Sequence, residues 1–303
     1  MRSEIILFIL GLVLLIMGGD SFVDYSVSLA GRLRLPAAAV GATVVAVGTS
    51  LPEILVSVTA ALGGNGRIAA GSAMGSIIYN AALAGGLLLL LRPTSGLGRR
   101  DLLKRLFFFL LAACFTVFSA GKTGGMSVGL GVILLSLFAV YALTTASGGR
   151  TQKTESERLE LIVVGLLVGA AALYMGSCFV VDNGILLAHS LGIPERLVAI
   201  TFVALGTALP DIAAAVAAVV RKQPALALGN IVGANIINLL LVIGIPAVVA
   251  PIKTELSFMR DMTAASAAML LLILPPVCTG KTYRWQGILL LLGFGAYMAV
   301  NFI

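Results

Sequence analysis

Long apolar stretches separated by short polar ones set the pattern of this chain. They run over 4–30, 37–62, 68–91, 102–120, 126–146, 159–181, 197–220, 224–250, 262–279 and 285–303, most near or above the ~20 residues that carry a helix across a bilayer. The pattern is continuous and does not alternate in ~10-residue units, so strands are not expected. The expected fold is an all-α membrane protein with ten transmembrane helices. The first stretch, MRSEIILFILGLVLLIMGGD, has the basic start of a signal peptide but no small-x-small cleavage site after it, and it is read as the first span.

Composition agrees: 59% hydrophobic and 11% charged residues, against roughly 45–50% and 25% in soluble domains. The net charge of +7 is explained by the positive-inside rule rather than by nucleic acid. With the N-terminus outside, 14 of the 20 Lys and Arg residues fall on the inner side, including the GRRDLLKR cluster at 98–105. Both termini are therefore expected outside a cell (plasma or inner) membrane. Cys114, Cys178 and Cys278 lack metal or redox spacing and read as packing residues.

Two stretches read almost alike, VAVGTSLPEILVS at 45–57 and VALGTALPDIAAA at 203–215. An offset of 158 aligns 41–86 with 199–244 at 17 identities in 46 positions. The same register pairs Gly71, Gly75 and Asn80 with Gly229, Gly233 and Asn238, and Asp24 with Asp182. The chain is an internal duplication: a first repeat at 1–146, a cytoplasmic linker at 147–158 and a second repeat at 159–303. Five spans per half make the repeats inverted, the architecture of secondary transporters with a site near the midplane.

Glu53 and Asp211 fall about halfway along their spans, where a carboxylate costs roughly 2.5–3.5 kcal/mol. No intramembrane Lys or Arg is available in either core segment, which leaves protonation or a bound cation. Gly48 with Pro52, and Gly206 with Pro210, are expected to break the second and seventh helices. The breaks free carbonyls such as that of Ala46, while Thr49, Ser50, Ser76, Asn80, Thr207 and Asn238 add hydroxyl and amide oxygens. Gly71 and Gly75 offer a small-residue face along which the third span approaches the second. These hard oxygen ligands suit Na+ or Ca2+, and the lone His189 cannot build a transition-metal site. Asp24 and Asp182 are expected near the outer ends of their spans, lining a path or capping helices. Asp20 has no acidic mate, since Cys178 occupies that position.

GTSLPE with GSIIYN, and GTALPD with GNIVGANIIN, resemble the two alpha-repeats of the calcium/cation antiporter superfamily, and the chain is similar to prokaryotic-type sodium/calcium exchangers without a regulatory domain. The resemblance implies ten helices, sliding first and sixth helices, and ion ligands at Ala46 (carbonyl), Thr49, Ser50, Glu53, Ser76, Asn80, Ala204 (carbonyl), Thr207, Asp211 and Asn238, the metal (Ca2+/Na+) being held chiefly by Glu53, Asp211, Thr49 and Thr207. It implies no cofactor, no enzyme activity, and as partners only the lipid bilayer and the transported cations Na+ and Ca2+, with H+ as the alternative coupling ion. The chain departs from the family at Ala208 and Ala234, where serine is common, at Asp211 in place of Glu, at Asn238, often Asp in calcium-transporting relatives, and at Ile77 in place of Asn. A proton-coupled cation antiporter is the alternative. An intramembrane aspartyl protease shares the two carboxylates but needs no duplicated oxygen ligands, and a passive channel would show no counter-ion dependence.

Overall fold

The computed structural model describes residues 2–33, 35, 37–64, 66–93, 98–146, 158–190, 204–254 and 256–302. Two helices of 32 residues, α1 (Arg2–Leu33) and α9 (Leu159–Ser190), pack along one another. At 1.5 Å per residue each is about 48 Å long, longer than the ~30 Å hydrocarbon core. Their seam is built from glycine: a Cβ at Gly11 would lie 2.9 Å from the Gly176 carbonyl oxygen, and one at Gly176 would lie 2.8 Å from that of Gly11. Backbones this close gain dispersion contact where lipid offers no hydrophobic drive. The outer faces carry exposed Ile6, Ile16, Met17, Leu167 and Val168, as a lipid-facing surface requires.

The second span is interrupted. Helix α2 (Ala37–Val40) passes through a π-helical stretch, Gly41–Val45, into α3 (Ala46–Thr49), and Ser50 leaves helical angles at φ −88° and ψ 1° before α4 (Leu51–Leu62) begins. The two parts are bent by 56°. Pro52 explains the break, having no N–H to offer the Gly48 carbonyl. The third span is α5 (Gly66–Ile78), a π-helical stretch Tyr79–Ala84 and α6 (Gly85–Leu91). After it come α7 (Arg99–Thr123) and α8 (Val128–Ala146).

Beyond α9, the second half contains α10 (Ala204–Val220), α11 (Pro224–Ile237), a π-helical stretch Asn238–Ile243, α12 (Gly244–Val249), α13 (Leu256–Thr279) and α14 (Arg284–Phe302). The stretch from Pro224 to Val249 is 89% buried and that from Ala69 to Leu91 72%, against 28% for Ser3–Leu33. Spans three and eight are therefore the centre of the bundle, with α1 at its edge.

Several expectations need correction. Seven described helices are long and apolar enough to cross a membrane, and the bent pair makes an eighth; the stretches read as the seventh and tenth spans fold as the shorter helices α10 and α14, of 17 and 19 residues. The break expected at Gly206 and Pro210 is not an interruption, because α10 runs unbroken with Pro210 inside it. A helix can absorb the one lost hydrogen bond by bending. Strands do occur, as β1 (Gly125–Met126) pairs antiparallel with β2 (Ile252–Lys253) and ties two connecting loops together at one end of the bundle. Arg105, counted with the inner-loop charges, lies inside α7 and is 3% exposed, its Nη1 donating to the Gly229 carbonyl at 3.4 Å.

Asp24 does not share an end of the bundle with Asp182, because α1 and α9 run antiparallel, Tyr25 against Gly165 and Gly11 against Gly176. It meets Arg221, at the end opposite β1 and β2, whose Nη1 lies 3.3 Å from its carboxylate. The same guanidinium holds Asp20 through Nε and Nη2, both at 3.2 Å. The hydrogen bond to Asp20, and then the charge of Asp24, raise Arg221 above its ordinary value.

Candidate functional site

Glu53 occupies the first turn of α4, just past the break, and is 0% exposed. Neither of its carboxylate oxygens has a hydrogen-bond partner. Asp211, also 0% exposed, lies one residue beyond Pro210 in α10 and is near enough for the two negative charges to repel. Its Oδ2 accepts the Asn80 amide at 2.5 Å, while Oδ1 is unpartnered. Three of the four carboxylate oxygens are thus buried and bare, at a depth where each unsatisfied polar group is expensive.

The neighbouring oxygens show the same bareness. Ser50 Oγ, Asn80 Oδ1 and both polar atoms of Asn238 are buried without partners. Asn80 is carried by one π-helical stretch and Asn238 opens another; such wide turns recur at functional sites. Ser76 is buried on α5, one turn before Asn80. The Thr49 hydroxyl donates to the carbonyls of Val45 at 3.0 Å and Ala46 at 3.3 Å.

Not every expected ligand stands free. The Ala46 carbonyl accepts the Ser50 N–H at 3.0 Å as well as the Thr49 hydroxyl, because the break falls one residue after α3 and spares its last hydrogen bond. The carbonyl that loses its donor to Pro52 is that of Gly48. Ala204 begins α10, and the side chains of Ala204, Gly206 and Thr207 lie outside the described residues. Gly71 does not meet the second span: a Cβ there would touch nothing within 4 Å. Its counterpart role falls to Gly233, where a Cβ would come within 2.4 Å of Ala42 Cα, so the close crossing joins span eight to span two.

Sequence reasoning missed Asn230, whose amide donates to the Asp211 backbone carbonyl at 3.2 Å, and Asn235, whose amide reaches Met269 Sδ at 3.0 Å. Each keeps an unpartnered Oδ1. Ser57 was missed as well; it lies one turn beyond Glu53, 0% exposed and unpartnered. Ser26, Thr43, Thr116 and Ser136 all donate to the carbonyl four residues earlier, whereas the hydroxyls of Ser50, Ser57 and Ser72 have no partner. The i, i+4 spacing from Glu53 was the available signal.

Among the described residues, no three of His, Cys, Asp and Glu cluster. The chemistry available is therefore two carboxylates with hydroxyl and amide oxygens, a hard set fitted to Na+ or Ca2+ as cargo.

The profile of the family described as "Sodium/calcium exchanger protein" matches residues 3–146 and 161–303. The chain belongs to the sodium/calcium exchanger family. It is 33% identical over 313 residues to the inner membrane protein YrbG of Escherichia coli, covering 97% of this chain and 95% of that one. With the sodium/calcium exchanger MaX1 of Methanosarcina acetivorans it shares 29% identity over 344 residues, 98% of each chain. Its fold matches the solved sodium-calcium exchanger NCX_Mj with a TM-score of 0.86 at 32% identity, covering 98% of both chains. Members of this family are transporters, and the chain is accordingly a multi-pass membrane protein that performs cation antiport, Ca2+ among the cations.

Proposed function

We propose that this antiporter exchanges Na+ for Ca2+ across the cell membrane by alternating access. Its two inverted repeats, 1–146 and 159–303, are joined by the inner linker, with both termini outside. The cations are ligated by Glu53 and Asp211 together with Thr49, Ser50, Ser76, Asn80, Thr207, Asn238 and the carbonyls of Ala46 and Ala204. The observation that carries the reading is the pair of fully buried carboxylates with three bare oxygens. A charge of −2 is matched by one divalent or two monovalent ions, so one species has to leave before the other neutralises the site. The MaX1 relative, named a sodium/calcium exchanger, supports Na+ as the coupling ion.

A proton-coupled reading is favoured by one feature of the second half, where Ala208, Ala234 and Asn238 supply fewer anionic and hydroxyl ligands. The deciding experiment follows radioactive Ca2+ uptake into proteoliposomes loaded with Na+, with choline at equal pH, or with choline under an imposed proton gradient. Uptake only with internal Na+ is expected. Uptake driven by the proton gradient alone would replace Na+ by H+, and uptake into choline vesicles without any gradient would mean a channel.

A further inference from the structure

One face of α13 is left open to the membrane by α5 and α14, and two cavities follow one another along it. The first, about 60 Å3, lies at the β2 end and is lined by Gly71, Lys253, Thr254, Ser257 and Asp261. The second, about 200 Å3, is an apolar cleft floored by small residues, Ala82, Ala264, Ala268 and Gly293, and walled by Ile78 and Phe294. Tyr297 links the two: its ring lines the cleft, while its hydroxyl donates to Asp261 Oδ1 at 3.0 Å. Ser257, Asp261, Ala264, Ala268 and Leu271 repeat at helical spacing, so the two cavities form one track. From Ser257 to Leu271 it descends about 21 Å at 1.5 Å per residue, roughly a headgroup layer plus one leaflet of a ~30 Å core.

Polar at the membrane surface and apolar below, this track has the shape of a lipid, and its charges select among lipids. Lys253 presents an ammonium beside the hydroxyls of Thr254 and Ser257, and Asp261, whose Oδ1 takes the Tyr297 hydroxyl and lies 3.7 Å from Arg260 Nε, leaves its other oxygen facing the headgroup one turn further along α13. A phosphodiester pairs with the first group and a headgroup amine with the second. We infer that the track binds one zwitterionic, ethanolamine-type phospholipid, with its headgroup between Lys253 and Asp261 and an acyl chain in the cleft between α5, α13 and α14. The back of the cleft is formed by Ile78 and Ala82, which flank Asn80 at the π-helical stretch. A seated chain therefore leans on the segment that delivers an amide to Asp211.

The inference needs the protein to be membrane-embedded but is independent of which ions it exchanges, and bound lipid is the readout that keeps the two apart. Full-length protein is incubated with vesicles of phosphatidylethanolamine or of phosphatidylglycerol, extracted in mild detergent and weighed by native mass spectrometry. Wild type should retain one phosphatidylethanolamine, at about tenfold higher occupancy than phosphatidylglycerol. Gly293→Leu, which fills space where a Cβ meets nothing within 4 Å, should lower that occupancy about tenfold. Lys253→Gln, at an exposed position that does not threaten folding, should abolish the preference between the two lipids while a chain is still retained. Equal retention of both lipids by wild type, an unchanged preference in Lys253→Gln, or wild-type occupancy in a folded Gly293→Leu protein would each overturn the assignment.

Discussion

Replacing Glu53 by glutamine should make the empty protein more stable and its stability less responsive to cations. Glu53 keeps its carboxylate at 0% exposure with neither oxygen bonded, facing the charge of Asp211. A carboxylate at that depth costs roughly 2.5–3.5 kcal/mol to insert, and glutamine has the same shape without the charge. With both carboxylates ionised and no cation present, Glu53→Gln should therefore gain up to about 3 kcal/mol. A ligand that binds only the folded state adds about 2.7 kcal/mol at a hundredfold excess over its Kd. Wild type should thus regain nearly the same amount from saturating Ca2+, whereas the variant should regain almost none. Thermal unfolding in detergent, run in chelator and then in excess Ca2+, measures both quantities on one sample. The two curves are expected to converge: variant above wild type in chelator, level with it in Ca2+. A variant less stable than wild type in chelator would mean that Glu53 is held by bonds inside the protein, and a variant with a full Ca2+ response would mean that the ion does not need this carboxylate.

Other outcomes follow from single contacts. The double variant Glu53→Gln, Asp211→Asn should show no counter-ion-dependent Ca2+ uptake in proteoliposomes; wild-type rates would remove both residues from the site. Asn80→Ala deletes the 2.5 Å bond to Asp211, and a hydrogen bond to a charged group is worth roughly 1.5–3 kcal/mol, so apparent Ca2+ affinity in uptake assays should change by at least tenfold; an unaltered affinity would reduce Asn80 to helix packing. Gly233→Ala places a Cβ 2.4 Å from Ala42 Cα and should lower stability by roughly 1–3 kcal/mol in the same thermal assay, a loss that a merely permissive glycine would not produce. The Arg221 contact with Asp20 and Asp24 should respond to salt rather than to pH. A base whose pKa is raised in the folded state loses its contribution only as pH rises past its already high ordinary value, whereas the Debye length shrinks from about 30 Å at 0.01 M to about 3 Å at 1 M salt. Hydrogen exchange at the 221–223 turn should accelerate with salt and stay flat from neutral pH to about pH 9 once corrected for intrinsic chemistry; the reverse pattern would rule out the clamp.

How far the sequence could be read depended on what kind of signal each feature leaves. Glu53, Asp211, Asn80 and Asn238 stood out because a polar group inside an apolar run is improbable unless something needs it, and the duplicated register marked each of them twice. Pro52 likewise announced the break in the second span, since its missing N–H is a local property. Pro210 shows the limit of the same argument: its residue chemistry is identical, yet α10 continues through it, because a proline specifies a lost bond and not how the surrounding helix absorbs it. Contacts between distant segments left no trace that one chain could show. Neither the Arg221 clamp, 201 residues from Asp20, nor the pairing of Gly125 with Lys253 has a periodicity or a motif behind it. Arg105 misled for a related reason, since a charge count assigns basic residues to a membrane side without seeing which face of α7 each one takes.

The two halves, alike in sequence, are unlike in how they satisfy their oxygens, and this difference bears on mechanism. Asp211 is already held on one side by Asn80, and Asn230 from the neighbouring helix fixes its backbone carbonyl. Glu53 is held by nothing, and Ser57, one turn along the same helix, is equally bare. If the proposed ligation holds, Asp211 is a ligand positioned before an ion arrives, while Glu53 has a longer side chain with both oxygens unpartnered. On the same proposal, Glu53 is the carboxylate to follow a departing cation, since it stands directly beyond the bend at Ser50. An antiporter needs both properties, a fixed partner that defines the site and a mobile one that links occupancy to movement, and a strictly symmetric pair would supply only one of them.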